Sequence, residues 1–325
     1  MSQRVVWLIV LTFCLTLPAI ILAEEFPARA VTTIVPLPPG GNLDFLARLF
    51  APVAEKYLGK PVVVANKTGA GGASGTLAAA QAKADGYTIC WGWSNQTVLI
   101  IGETLAGRKP FFTMDDFTIL GKVNDSPTIL LVPENSPWKT IQEAIEDVKA
   151  HPNTYAFASG GINTITHLSM EILMAQLGLK IRHVPYQGGG PAYAALIGGH
   201  VNFGVQIPAP TLPYIKGKKL RALAQFGEKR FKNYEDIPTF KELGHDVVCA
   251  SWFGLLAPKG TPAPIVERLQ SLVKRVTSDP SFRDPLEKAG DQVSYADPDT
   301  TKKGLQEEYN KFYKIMEKQE KERKQ

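Results

Sequence analysis

The sequence predicts an α/β protein of two lobes, each a mostly parallel sheet flanked by helices, with a ligand cleft between them. Three observations carry that prediction. β-branched apolar runs alternate with amphipathic stretches at helical spacing along most of the chain, the pattern of parallel strands covered on both faces. Glycine-rich turns recur where such a run meets the following helix. Two long extended segments, 117–133 and 247–256, break the rhythm; paired crossings of this kind join lobes that can hinge about a cleft. The expected division is residues 24–123 with 252–325 in one lobe and 124–251 in the other.

The chain opens with an apolar run, 5–22, behind a single positive charge, and Ile21-Leu22-Ala23 precedes Glu24-Glu25. This reads as a signal peptide over 1–23, and so as export to the periplasm. An uncleaved membrane anchor is the alternative, because the run is nearly long enough to span a bilayer. Phe13 before Cys14 argues against lipidation, and no later segment is apolar enough to span. Removing 23 of 325 residues leaves 302, more than one small core accommodates. Lys plus Arg then falls from 36 to 35 against 31 acids, a net charge of +4.

The elements follow in order. Val31 to Val35 is a strand, and Pro36-Leu-Pro-Pro-Gly-Gly-Asn-Leu-Asp44 is a tight turn opening an amphipathic helix. Phe45, Leu46, Leu49, Phe50, Val53, Tyr57 and Leu58 mark that helix by their spacing. Residues 61–65 form a strand, 66–72 a turn, 73–84 a small-residue helix and 87–91 a third strand. A helix over 141–150 has Thr140 as its cap. Strand 155–158, glycine turn 159–163 and a helix over 164–177 repeat the first motif. Strand 182–186 meets Gln187-Gly-Gly-Gly-Pro191 and a helix over 192–197. Strand 201–207, a short helix over 208–216 and strand 220–226 follow. After the second crossing come a long helix over 264–278 and a C-terminal helix from about residue 301. The lysines and arginines of that last helix interleave with glutamates, which makes a solvated face and not a nucleic-acid stripe.

The turn 36–44 is the most informative segment. Its prolines stiffen it, its glycines bare the backbone, and it leaves a helix N-terminus whose unpaired N–H groups favour an anion. Asp44 suits such a position structurally, and a bare carboxylate there would repel an anionic ligand. Trp91 and Trp93 share a face of their strand, with Trp93 the better pocket candidate. Tyr186 is divided between pocket lining and turn packing, Asn66 is expected to support a turn, and His167 is expected to be structural. The five histidines show no metal-binding spacing. Cys90 and Cys249 both read as core strand residues; an oxidising compartment would permit pairing, but sequence gives no distance between them.

Phe26-Pro-Ala-Arg, Ile34-Val-Pro-Leu-Pro-Pro-Gly-Gly41 and Asp44-Phe-Leu-Ala-Arg48 resemble the opening of the Bug-type substrate-binding proteins, the extracytoplasmic receptors of tripartite tricarboxylate transporters. Further matches run in order: Val62-Val-Val-Ala-Asn66, Gly69-Ala-Gly-Gly72, Asp85-Gly-Tyr87, Val184-Pro-Tyr186, Gly198-Gly-His-Val201, Leu212-Pro-Tyr-Ile-Lys216, Asp236-Ile-Pro-Thr239 and Ser251-Trp-Phe-Gly-Leu-Leu-Ala-Pro258 with Gly260-Thr-Pro262. The resemblance covers essentially the whole mature chain. It implies a two-lobed, type II-like periplasmic binding protein that clasps a small organic acid. It also implies delivery to integral-membrane transporter subunits, no cofactor and no metal. Nucleic acid is not an expected partner, and a monomer is expected.

The resemblance places ligand contacts on two turns. The first supplies Pro39, Gly40, Gly41, Asn42, Leu43 and Asp44. The second supplies Ser159, Gly160, Gly161, Ile162, Asn163 and Thr164. Trp93, Ser94 and Asn95 after the third strand, with Tyr186 and Gln206, complete the candidate set. Three departures stand out: Leu43 where relatives carry a hydroxyl, Ile162 where glycine is common, and Trp93 where small residues are usual. They suggest a more apolar cleft and a ligand such as a monocarboxylate or an aromatic acid instead of citrate. A receptor that presents its ligand to a sensor kinase is the alternative reading. An exported α/β enzyme is more remote: Gly69-x-Gly71 is followed by Ser74 where a dinucleotide loop needs a third glycine, and no nucleophile elbow is present.

Overall fold

The structure, a computed structural model, describes residues 26–323; the expected leader, its cleavage site and Cys14 lie outside the described residues. The first stretch runs β1 (Val31–Val35), α1 (Asn42–Leu58), β2 (Val62–Asn66), α2 (Ala73–Ala80), β3 (Thr88–Trp93), α3 (Ser94–Leu105) and β4 (Phe117–Pro127). Next come β5 (Ile129–Pro133), α4 (Ile141–Ala150), β6 (Ala156–Ser159), α5 (Ile165–Leu177), β7 (Arg182–Pro185), α6 (Gly189–Ile197), β8 (Phe203–Gln206), α7 (Pro208–Lys216) and β9 (Leu220–Gln225). The last are β10 (Ala250–Pro258), α8 (Ala263–Ser278), α9 (Pro280–Lys288) and α10 (Pro298–Arg323).

These strands build two five-stranded sheets, ordered β2-β1-β3-β10-β4 and β7-β6-β8-β5-β9. In the first, β1 pairs parallel with β2 and β3, while β10 runs antiparallel to both β3 and β4. In the second, β6 pairs parallel with β7 and β8, while β5 runs antiparallel to β8 and β9. Four strands of each sheet therefore share a direction and one opposes them. The sheets are mixed where the alternation suggested parallel pairing, because each reversed strand adjoins a crossing and enters its sheet directly, with no helix to turn it. The long segment 117–133 is two strands, broken at Thr128 and paired in different sheets. The crossings lie side by side: Thr128 N–H donates to Cys249 O at 3.2 Å, and Phe226 N–H to Thr128 O at 2.9 Å.

Each sheet has its own core. α1 lays Leu46, Phe50 and Val53 onto the first sheet, where Phe50 meets Trp91 edge-on at 5.6 Å between centroids; burying such a ring contributes roughly 1.5–3 kcal/mol. Around the second sheet, Trp138 stacks on Phe203 at 4.6 Å. Two helices were not foreseen. α3 begins with four polar residues, all buried, which hide the apolar stripe of Val98 and Ile101. α9 contains Pro280 and Pro285 and so resembles a turn, yet Asp279 caps it and it buries Phe282 and Leu286. α10 serves both cores, with Leu305 in a cluster on the first sheet and Phe312 in one on the second. Cys90 and Cys249 are buried and free, and burial pushes the Cys249 thiol up to about 12.

Candidate functional site

A cavity of about 110 Å³ lies between turns from the two sheets, at the kind of strand-to-helix junction where open α/β sheets bind ligands. Leu37, Gly40, Gly41, Asn42 and Leu43 form one wall, with Asn95 from α3 and Phe253 from β10. Gly160, Thr164, Ile165 and Thr166 from the β6–α5 junction face them. Gly188, Gly189, Gly190 and Tyr193 at the start of α6, with Gln206 at the end of β8 and Ile207 and Pro210 beyond it, complete it. None of these lining residues is charged.

Local chemistry shapes the first turn. Gly40 sits at φ +84° and an added Cβ there would meet nothing within 4 Å, so the position needs glycine for its backbone conformation. Asp44 accepts from Gly40 N–H at 3.0 Å, Arg48 Nε at 2.9 Å and Asn66 Nδ2 at 3.0 Å. Burial opposes its ionisation, but the bonds from Arg48, Gly40 and Asn66 outweigh that and hold the carboxyl below its ordinary range. Asp44 thus braces the turn from beneath and lies off the cavity wall. Asn66 supports the same turn through Leu37 O at 3.0 Å. Gly41 caps α1 without any side-chain bond, leaving the first N–H groups of that helix open.

The β6–α5 turn differs. Gly160 N–H donates to Thr166 Oγ1 at 3.0 Å, Gly161 N–H to Ser159 Oγ at 3.1 Å and Asn163 N–H to His167 Nδ1 at 3.3 Å. Asn95 Oδ1 accepts from Ile165 N–H at 3.1 Å, and Thr164 caps α5 by accepting from His167 N–H at 3.3 Å. Five of its N–H groups are therefore spent, four within the turn and one across to α3. The unfilled donors on this side stand at the start of α6: Gly188 N–H reaches Gly160 O at 3.0 Å, while the helix has no side-chain cap. Two buried amides also face the cavity unsatisfied. Gln206, 3% exposed, leaves Nε2 without a partner, and Asn42, 7% exposed, leaves both side-chain atoms so.

Of the predicted residues, Gly40, Gly41, Asn42, Leu43, Asn95, Gly160, Thr164 and Gln206 meet at this cavity. Pro39, Asp44, Ser159, Gly161 and Tyr186 do not line it. Ser94 is buried behind it, donating to Glu308 Oε2 at 2.7 Å and accepting from Trp252 N–H at 3.0 Å. Ile162, 63% exposed, and Asn163 belong instead to a separate cavity of about 230 Å³ beside Arg108, His167 and Glu171. The Trp93 side chain lies outside the described residues. Of the three positions behind the apolar-ligand expectation, Leu43 is on the wall and Ile162 is not. Ser159 Oγ is 2.7 Å from His183 Nε2 but is buried and tied to Gly161. Sequence reasoning missed the start of α6, Thr166, Tyr193 and Phe253. The signal for α6 was Gln187-Gly-Gly-Gly-Pro191, a strand–glycine–helix junction like the first.

Comparison with known proteins adds a second line of observation. The profile of the tripartite tricarboxylate transporter family receptors matches residues 46–320. Protein BugT of Bordetella pertussis is 32% identical over 295 residues, covering 90% of each chain. Among solved structures, periplasmic binding protein BugD is 30% identical with a TM-score of 0.83, over 90% of this chain and 98% of its own. MatC of Rhodopseudomonas palustris, solved with bound malate, is 29% identical with a TM-score of 0.82, over 89% of this chain and 99% of its own.

Proposed function

This chain belongs to the tripartite tricarboxylate transporter receptor family, and from that premise we propose that it captures a small carboxylate in the cavity between its sheets. It then delivers that acid to integral-membrane transporter subunits, acting from the periplasm as a monomer after cleavage at Ala23. Residues 24–123 with 252–325 form one lobe and 124–251 the other, closing on the ligand about the paired crossings. The protein binds and does not turn over its ligand.

The observation that carries this reading is the donor set of the cavity. Open helix starts at α1 and α6 face one another across it, joined by the unsatisfied amides of Asn42 and Gln206. Hydrogen bonds to a charged acceptor contribute roughly 1.5–3 kcal/mol each, and a helix end adds roughly 0.3–1 kcal/mol. A few such contacts sustain micromolar binding, about −8 kcal/mol, with no cation in the wall. MatC, with malate bound, supports the ligand class. The test is a thermal-shift screen of small carboxylates against their amides: a shift with the acid and none with its amide is expected, and equal response to both contradicts the reading.

A further inference from the structure

Behind the β6–α5 turn stand two stacked imidazoles that take no part in lining the ligand cavity. The His167 ring, on α5, lies on that of His183, on β7, at 4.0 Å between centroids, and Phe157 stacks on His183 at 4.7 Å. Both rings hold the turn. Asn163 N–H donates to His167 Nδ1 at 3.3 Å, so Nδ1 carries a lone pair and the ring hydrogen sits on Nε2, 3.3 Å from Glu171 Oε1. Ser159 Oγ donates to Gly161 O at 3.0 Å; with its one hydrogen spent, it accepts from His183 Nε2 at 2.7 Å. The turn needs such support, because Asn163 sits at φ +55° and Gly161 at φ +137°. A non-glycine residue in the left-handed region persists only where its surroundings fix it. On the far side, Asn163 Nδ2 lies against α3, 2.7 Å from where a Cβ on Gly102 would stand. From this frame Gly160 and Thr164 reach the ligand cavity, Thr164 Oγ1 accepts from His167 N–H at 3.3 Å, and Gly160 O receives Gly188 N–H at 3.0 Å from the start of α6.

We infer that His167 is a positioning residue of ligand capture: its neutral ring fixes Asn163, and with it the turn that carries Gly160 and Thr164, so that protonating the ring releases the acid. The inference rests on the carboxylate reading above. The neutral ring already carries its hydrogen on Nε2, so an added proton enters at Nδ1. Asn163 N–H then faces an N–H instead of a lone pair, and the charged ring and the present turn exclude one another. The bound acid requires that turn, so acid and proton compete. The groups facing the ring are Glu171 from its own helix, His183 from β7 and, lining the same cavity of about 230 Å³, Arg108 after α3 and Glu320 from α10. Arg108 is held by Glu103 at 2.6 and 2.8 Å. Like charges disfavour joint protonation of the two stacked rings. Histidine changes charge between pH 5 and 8, whereas free carboxylic acids stay largely ionised above about pH 6, which separates this effect from titration of the ligand.

Calorimetric titration of residues 24–325 with malate and with adipate, from about pH 8 down to about pH 6, tests this. Affinity of the unaltered protein should weaken several-fold across that range. His167→Leu offers Asn163 no acceptor and should bind about tenfold more weakly at the upper pH, with a flat profile. His167→Asn, whose amide oxygen stands where Nδ1 stands and does not titrate, should recover most of that loss and bind equally well at both ends of the range. A ring that served packing alone would leave His167→Asn as weak as His167→Leu. That result overturns the inference, as does a pH-dependent profile in His167→Asn like that of the unaltered protein. Constant affinity in the unaltered protein overturns it without recourse to any variant. Failure of both acids to bind at any pH overturns the capture reading itself, and this inference with it.

Discussion

Gly40 and Gln206 show how single residues serve the site in different ways. Gly40 occupies a left-handed backbone conformation with open space where a side chain would go. Gly40→Val should weaken acid binding at least tenfold, and backbone strain of about 1–2 kcal/mol should lower the melting point modestly; titration and melting on one preparation separate the two effects. At Gly160 an added Cβ would meet Thr166 Oγ1 at an ordinary 3.6 Å, so Gly160→Val should fold and lose binding by filling the wall. Gln206 has an unsatisfied buried amide. Gln206→Leu should weaken binding by about tenfold, within the 1–3 kcal/mol of a lost donor, without lowering the melting point, because no internal bond is lost. At this scale the first turn was legible, since two prolines and two glycines before an amphipathic helix admit few conformations. The residues around Ile162 were not, because sequence does not show whether a turn spends its N–H groups on itself.

Elements were read best where a periodic face and a cap coincide. Thr140 caps its helix as expected, accepting from Glu143 N–H at 3.3 Å, and the Glu143 side chain completes a capping box. Thr140→Ala should destabilise the protein by about 1 kcal/mol, a drop of roughly 2–4 °C, leaving ligand affinity unchanged in a titration at 25 °C. α3 escaped because buried polar residues occupy its first turn: Gln96 Nε2 bonds Thr76 Oγ1 at 3.0 Å and Asn95 Nδ2 bonds Gly71 O at 3.1 Å. Those pairings are long-range and leave no periodic trace. α9 escaped because proline at N1 and in the first turns mimics a loop. The antiparallel strands β5 and β10 were seen as extended, yet their direction depends on which sheet receives them.

Across the whole molecule, α10 ties the two cores together, and between Leu305 and Phe312 it carries the half-buried Glu308. That carboxyl bonds Ser94, and its second oxygen has no partner. Burial pushes it up to about 7, against easing by Ser94 and Thr97. Asp291 is likewise raised, to about 6. Both folded values lie above those of the unfolded chain, so each acid favours folding when protonated, and that stability is lost as pH rises toward and through these values. The melting point should therefore fall between pH 5 and pH 8. Glu308→Gln should raise stability at pH 8, by on the order of 2–3 kcal/mol as an upper figure, and change little at pH 5; melting curves at the two pH values check this. Two lobes and their crossings were legible from alternation and length. The bridging roles of α3 and α10 were not, because a helix shared by two cores has the same periodicity as one serving a single core.

The central claim is that a carboxylate binds between the first turn and the start of α6. Its most direct test is calorimetric titration of residues 24–325 with malate and adipate, repeated with the Gln206→Leu and Gly40→Val variants and with the matched amides. Micromolar binding of at least one acid, absent with its amide and weakened tenfold or more in both variants, is the predicted result. Binding of an acid that both variants leave untouched would contradict the site.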